Sequence, residues 1–209
     1  MKKGMISSVI LLIFMVGLSV ADEWFTVKWV DDGDTIVLEN NEKIRYIGIN
    51  TPEIAHPDKS AEHYGPEAAK FNKKLVLSKK VRLEFENEKQ DQYGRTLAYI
   101  FLEDGTMVNE KLVEQGYAHV LTGKSKGKYD SLLLKKQQAA MDAGKGMWKD
   151  WKETAGSYIG NSRSKRFHTQ DCASGQQTGL KNRTAFSSLW NAFYEGFAPC
   201  KKCMPAERH

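Results

Sequence analysis

Residues 25–30, 35–38 and 43–49 alternate or cluster β-branched and aromatic side chains between turn signals at Asp32-Gly33 and Asn40-Asn41, and so predict a strand meander. Pro66 suits a first helical position, where a missing N–H costs nothing, and Glu67 follows in the turn that the helix dipole favours. Ala68, Phe71 and Leu75 repeat on one face, which predicts a helix over about 66–79. Val81, Leu83 and Phe85 then alternate with Arg82, Glu84 and Glu86 as in a half-buried strand, and residues 96–102 supply a fifth strand before the Asp104-Gly105 turn. Two further helices are expected, over 107–115, stopped by Gly116, and over 129–143, stopped by Gly144. The pattern defines an α+β domain without defining its topology. It contains no internal repeat, and the polar stretch 149–157 marks a boundary before the tail.

The start of the chain breaks this pattern. Lys2 and Lys3 precede an apolar run over 5–18, and Ser19-Val20-Ala21 places small residues where a signal peptidase cuts, so residues 1–21 read as a signal peptide. The run is shorter than the roughly 20 residues a spanning helix needs. A secreted or periplasmic protein with no stable membrane association is therefore expected. Charge is uneven: the total of +5 divides into +2 for residues 1–21, −1 for 22–152 and +4 for 153–209. A near-neutral body with a basic tail suits a polyanionic partner held in part by the tail, the alternative being a merely soluble basic tail.

Candidate chemistry sits in two stretches. Asp34, Arg45 and Asn50-Thr51-Pro52-Glu53, followed by Asp91-Gln92-Tyr93-Gly94-Arg95, supply acids, an amide, a potential general base and two guanidinium groups. That is the set a metal-assisted phosphodiesterase needs, because a phosphate gaining charge requires a cation, fixed donors and a base aimed at water. Each piece alone is weak; Gly-Asp-Thr by itself is most often a hairpin turn. Order and spacing carry the signal together with Asp32-Gly33-Asp34-Thr35, Tyr64-Gly65-Pro66-Glu67-Ala68, Met107-Val108-Asn109-Glu110 and Gly146-Met147-Trp148.

On these motifs, residues 24–148 resemble the staphylococcal nuclease (thermonuclease) family. The resemblance implies a five-stranded OB-type barrel with three helices over residues 22–152, a fold suited to binding nucleic acid across one face. It implies Ca2+-dependent cleavage of DNA and RNA that leaves 3'-phosphate ends. Carried over residue by residue, Asp34 and the Thr51 carbonyl become calcium ligands, Arg45 and Arg95 phosphate clamps, and Glu53 the general base. Asn50 stands where the family has a second metal-binding aspartate, and can still offer its amide oxygen to the cation. One negative charge is lost, so a weaker site or a changed metal preference is expected. Thr122-Gly123-Lys124 likewise replaces two tyrosines that pack around the nucleotide. Lys124, Lys126 and Lys128 either contact the substrate backbone or form a solvated loop.

All three cysteines fall in the tail. His168-x3-Cys172 and Cys200-x2-Cys203 give a Cys3His set suited to tetrahedral zinc, against the alternative of one disulfide and an odd thiol. A segment of some 50 residues is small to fold without a staple. With its flanking residues Tyr158 to Ser162, Lys165-Arg166-Phe167 and Gly196-Phe197-Ala198-Pro199, the stretch 153–209 resembles the metal-binding module of the Ada DNA-repair protein, with His168 in place of one cysteine. The expectation is thus a nuclease barrel with a small zinc-stabilised module, acting on DNA and RNA with no protein partner. The competing reading is a catalytically impaired nucleic-acid-binding protein that keeps the fold.

Overall fold

A computed structural model describes residues 23–204 apart from 124 and 154. The predicted signal peptide, residues 1–21, and Lys124 lie outside the described residues. In chain order the elements are β1 Trp24–Val30, β2 Thr35–Leu38, β3 Lys43–Tyr46, β4 Ile49–Asn50, α1 Gly65–Val76, β5 Lys80–Glu84, β6 Thr96–Leu102, α2 Val108–Glu114, β7 His119–Val120 and α3 Asp130–Asp142. There follow β8 Ala155–Asn161, β9 Arg166–Thr169, α4 Ala173–Gln176, β10 Arg183–Ser188, α5 Leu189–Tyr194 and β11 Ala198–Pro199. No helix among the described residues is long and apolar enough to cross a membrane.

β1, β2, β3, β6 and β5 close into a barrel in that order, all pairs antiparallel except β3 with β6. The α+β class and the five-stranded OB-type barrel with three helices are what the structure shows. β1 serves both edges of the closure because its register shifts between Val27 and Trp29, a bulge that bends the strand from β5 toward β2. Ile36, Leu38, Ile44, Val81, Ala98 and Ile100 fill the interior, with Val108, Leu112 and Leu133 packed on from the helices.

Two predicted elements come out differently. The strand expected over 43–49 splits, because Gly48 at φ +78° turns the chain after Tyr46 and leaves Ile49 and Asn50 to pair with His119 and Val120 instead. Helix α1 ends at Val76, three residues before the predicted 79. Ser78 takes a left-handed φ of 59°, and its N–H donates to the Val27 carbonyl, so the chain turns into β5 beside β1.

Beyond the barrel, β10, β8, β9 and β11 form a second sheet, with β9 and β11 parallel. Its core is shared with the barrel's last helix: Phe167, Phe186, Phe193 and Phe197 from the tail cluster with Ala140 and Met141 of α3 and with Trp148. Trp151, inside the stretch read as a polar boundary, packs against Trp148, Trp190 and Phe193. Gln137 of α3 is fully buried and satisfied at both ends: its Oε1 accepts from the Val120 N–H at 2.6 Å and its Nε2 donates to the Phe193 carbonyl. Gln138 adds a bond to the Tyr194 carbonyl. A buried amide with all partners in place fixes one arrangement of the elements it joins, here β7, α3 and α5.

Candidate active site and metal centre

Four of the residues singled out in the sequence converge on one buried network. Asp34 precedes β2, and Arg45 lies opposite Thr35 across the β2–β3 pair. Asp34 is 4% exposed and Arg45 8%. One Asp34 oxygen, Oδ2, accepts from the Thr51 N–H at 2.7 Å and faces an Arg45 terminal nitrogen at 3.0 Å. The same guanidinium donates to Asn50 Oδ1 at 3.1 Å and to the carbonyls of Tyr46 and Ile49 at 2.7 and 3.0 Å. Arg45 therefore wraps the turn that splits the predicted strand, and only its Nε stays outside these bonds.

Asn50 is held from both sides. With Oδ1 on Arg45, its amide N–H groups point to the Thr51 carbonyl at 3.0 Å and to His119 Nε2 at 3.4 Å. His119 Nδ1 lies 3.0 Å from the Val120 carbonyl, which places the ring proton there and leaves Nε2 to accept from Asn50. An aspartate at position 50 has no such donors. Besides lowering the charge, Asn50 thus turns an N–H toward the Thr51 carbonyl, the oxygen the resemblance assigns to the cation.

Glu53 follows two residues later and is half-buried. Its loop is clamped from the backbone: the Glu62 N–H donates to the Glu53 carbonyl at 2.9 Å, and a Cβ on Gly65 would sit 2.1 Å from that same oxygen. Only glycine lets the start of α1 approach so closely. Arg95 is apart from the network, at the entry to β6. Asp91 caps the turn by accepting from the N–H groups of Tyr93 and Arg95 and also binds the Arg95 side chain at 2.8 Å. Those bonds outweigh desolvation and hold the Asp91 carboxyl below the usual carboxylate range. Nη1 of Arg95 has no partner among the described residues.

Two residues escaped the sequence reading of the site. His119 is one. Asp32 is the other: its Oδ1 accepts from the Asp34 N–H at 2.9 Å, and burial, with the neighbouring Asp34 charge, pushes its carboxyl up to about 6. The Asp-x-Asp spacing was the available signal. The carboxylates of Asp32 and Asp34 with the Thr51 carbonyl are oxygens of the hard type that calcium takes, so they fit a hard cation, whereas Asn50 Oδ1 is turned to Arg45 instead.

In the tail, the parallel pairing of β9 with β11 brings His168 beside Cys200, and the Cys200 N–H bonds the Phe167 carbonyl at 2.9 Å. Cys172 opens α4 and Cys203 lies in the turn after Cys200. The donor atoms of His168, Cys172, Cys200 and Cys203 all lie within 4.8 Å of one another, and the three cysteines are free thiols. His168 Nδ1 stands 3.3 Å from Cys172 Sγ and 4.0 Å from Cys203 Sγ. Zinc bond lengths at a tetrahedral angle require about 3.5 Å between a nitrogen and a sulfur ligand, so the cluster fits that ion. Burial holds the His168 pKa below its ordinary value, in the neutral form a ligand needs.

A closed OB-type barrel with a buried carboxylate–guanidinium pair and a half-buried amide gathered at one turn defines the class of fold and site. The chain belongs to the staphylococcal nuclease homologue family, whose model matches residues 43–150. It is 39% identical over 132 residues to a thermonuclease of Staphylococcus intermedius, covering 62% of this chain and 78% of that protein. It is 39% identical over 136 residues to a thermonuclease of Staphylococcus hyicus, covering 63% and 80%. Over 117 residues it is 42% identical to endonuclease YncB of Bacillus subtilis (strain 168), covering 53% and 55%. The zinc-type cluster lies beyond the matched residues 43–150.

The network gives Arg45 a structural task. Arg45→Gln strips the buried Asp34 carboxylate of its partner, and an uncompensated buried charge costs about 3–5 kcal/mol. Urea denaturation should show a loss in that range; a loss under about 1 kcal/mol would mean that Asp34 does not depend on Arg45.

Proposed function

We propose that the protein is a metal-dependent endonuclease that hydrolyses phosphodiester bonds of DNA and RNA and leaves 3'-phosphate ends. The observation that supports this reading is the buried Asp34–Arg45–Asn50–Thr51 network with Glu53 clamped beside it. Glu53 takes a proton from water as the water oxygen bonds to phosphorus. The bond from phosphorus to the 5'-oxygen breaks, and that oxygen leaves as a hydroxyl after protonation from solvent. Arg95 donates through its free nitrogen to phosphate oxygens that gain charge. Asp34, with Asp32 and the Thr51 carbonyl, would hold Ca2+, which would supply Lewis-acid polarisation of the phosphate. Arg45 keeps the Asp34 carboxylate and the Thr51 backbone in place for that cation. The apolar run ahead of Ala21 supports action in a secreted or periplasmic setting, on polymers met outside the cytoplasm.

The second reading, a nucleic-acid-binding protein with impaired catalysis, is favoured by one observation, the Asn50 amide on the Thr51 carbonyl. A nuclease zymogram with and without added Ca2+ separates the two, because a lane that stays uncleared at every Ca2+ concentration is the result the second reading requires.

Removing a positioned general base or an oriented transition-state donor costs on the order of a hundred- to a thousand-fold or more in rate. Glu53→Gln and Arg95→Gln should each lose that much turnover while unfolding at the wild-type urea concentration. Near-normal cleavage by a folded Arg95→Gln protein would remove Arg95 from the mechanism.

For the cation, Asn50→Asp restores a carboxylate and frees the Thr51 carbonyl from its side-chain donor. The Ca2+ concentration for half-maximal cleavage should fall, and calorimetric titration should show tighter Ca2+ binding. Identical titrations for the two proteins would place the cation elsewhere.

We assign structural zinc to His168, Cys172, Cys200 and Cys203 in the module of residues 153–209, where metal binding supplies folding free energy. Elemental analysis should return one zinc per chain, with all three thiols titrating after denaturation without reductant. A metal-free protein with one titratable thiol would mean a disulfide instead.

A further inference from the structure

Between the barrel and the module lies a cavity of about 780 Å³, inside the roughly 300–1,000 Å³ range of small-ligand sites. It begins where the candidate active site ends, since Asn50, Glu53 and His119 form part of its wall. Trp148, Trp151 and Phe193 give it an aromatic lining, with ring centroids within 5.7 Å of one another. Trp148 is only 2% exposed, and its indole Nε1 has no hydrogen-bond partner among the described residues. A buried donor in this state is costly to leave unmatched, and an acceptor brought in by a ligand resolves it.

The wall supplied by the module is basic. Arg166 and Lys201 both reach the cavity. Arg166 bonds through Nη1 to the backbone carbonyls of Thr122, Ser164 and Lys165, at 3.1 to 3.3 Å, and no carboxylate among the described residues pairs with it. Its Nη2 and Nε are thus available to an anion, held at fixed position by three carbonyls. The cavity's acids lie elsewhere on its rim: Glu53, Asp150, and Glu62, the last engaged with Lys59 at 2.7 Å. An aromatic surface beside an unpaired guanidinium is the combination that binds single-stranded nucleic acid, stacking a base while a cation takes the phosphate.

We propose that this cavity is a nucleotide subsite that takes one nucleotide of the bound strand next to the scissile phosphate. The base lies against Trp151 and Trp148, the Trp148 N–H donates to a ring nitrogen or carbonyl oxygen of the base, and a flanking phosphate sits on Arg166 and Lys201. The assignment of the neighbouring phosphate as scissile rests on the nuclease reading; the binding itself does not.

The test uses the full-length protein with its bound metal and a short single-stranded phosphorothioate oligothymidylate, in buffer without added Ca2+, so that binding is read apart from cleavage. Binding should quench tryptophan fluorescence. Trp151→Leu should weaken it by about five- to a hundred-and-fifty-fold, the range for loss of one stacked base. Arg166→Gln should weaken it and reduce the slope of log affinity against log salt by about 0.7, as for one lost single-strand phosphate contact. Trp148→Phe, which keeps an aromatic ring but removes the N–H with the five-membered half of a buried indole, should weaken binding and also lower the unfolding midpoint through the cavity it leaves. Should Trp151→Leu fail to fold, the Arg166→Gln slope decides alone. Wild-type affinity and slope in a folded Arg166→Gln protein would overturn the subsite, and so would binding that leaves the fluorescence unchanged. If the protein cleaves but these variants bind normally, the subsite falls and the nuclease stands; if it binds with quenching and never cleaves, the nuclease falls and the subsite stands.

Discussion

The buried pairing of Arg45 with Asp34 is the constraint on which the site depends. Taking two charges out of water is costly, and their mutual attraction offsets that cost only when geometry is good and the remaining donors and lone pairs are matched. Here they are matched. The guanidinium spends its four terminal N–H groups on Asp34, Asn50 and the carbonyls of Tyr46 and Ile49. The carboxylate also receives the Thr51 N–H. Those bonds bend the chain after β3 and set the backbone of residues 49–51 against β2. Glu53 inherits its position from this turn on one side and from the close approach of Gly65 on the other. The general base proposed at Glu53 needs such support, because a loop free to move by 1 Å would lose much of the advantage of orientation.

What was legible in the sequence follows from the range of each interaction. Asp34, Arg45, Asn50 and Thr51 lie within 17 residues of one another along the chain, and their order and spacing marked them before any fold was known. Strand alternation marked the barrel strands for the same local reason. The split after Tyr46 was hidden because apolar alternation continues through Ile47 and Ile49, while the left-handed turn at Gly48 and the guanidinium folding back on the carbonyls stop the strand. His119 was hidden by distance: it meets Asn50 across 69 residues, through two strands of two residues each, too short to leave a period. Gln137 reads in sequence as one more polar helix residue, yet it is fully buried between two elements. In the tail, spacing marked His168 and the three cysteines, while the polar composition of 149–157 concealed the packing of Trp151.

The module is best regarded as a wall of the site. His119 accepts from the amide of Asn50 on one side and meets the ring of Phe193 edge-on at 5.3 Å on the other. Gln137 ties the next residue, Val120, to the backbone of the same Phe193. A displacement of α5 therefore presses on β7 through both an aromatic contact and an amide bridge, and β7 is the strand that holds Asn50 in register. Packed interiors transmit such shifts because they have little free volume to absorb them. The Cys3His cluster gathers side chains of β9 and of the turn after β11 within the fold that carries Phe193, so the geometry of the amide beside Arg45 depends on side chains more than 100 residues further along the chain. A barrel cut off after Trp148 would keep its five strands but would expose Ala140, Met141 and Trp148 and leave His119 without its aromatic neighbour. The consequence would reach the orientation of Asn50 even though no bond of the Asp34–Arg45 pair had been touched.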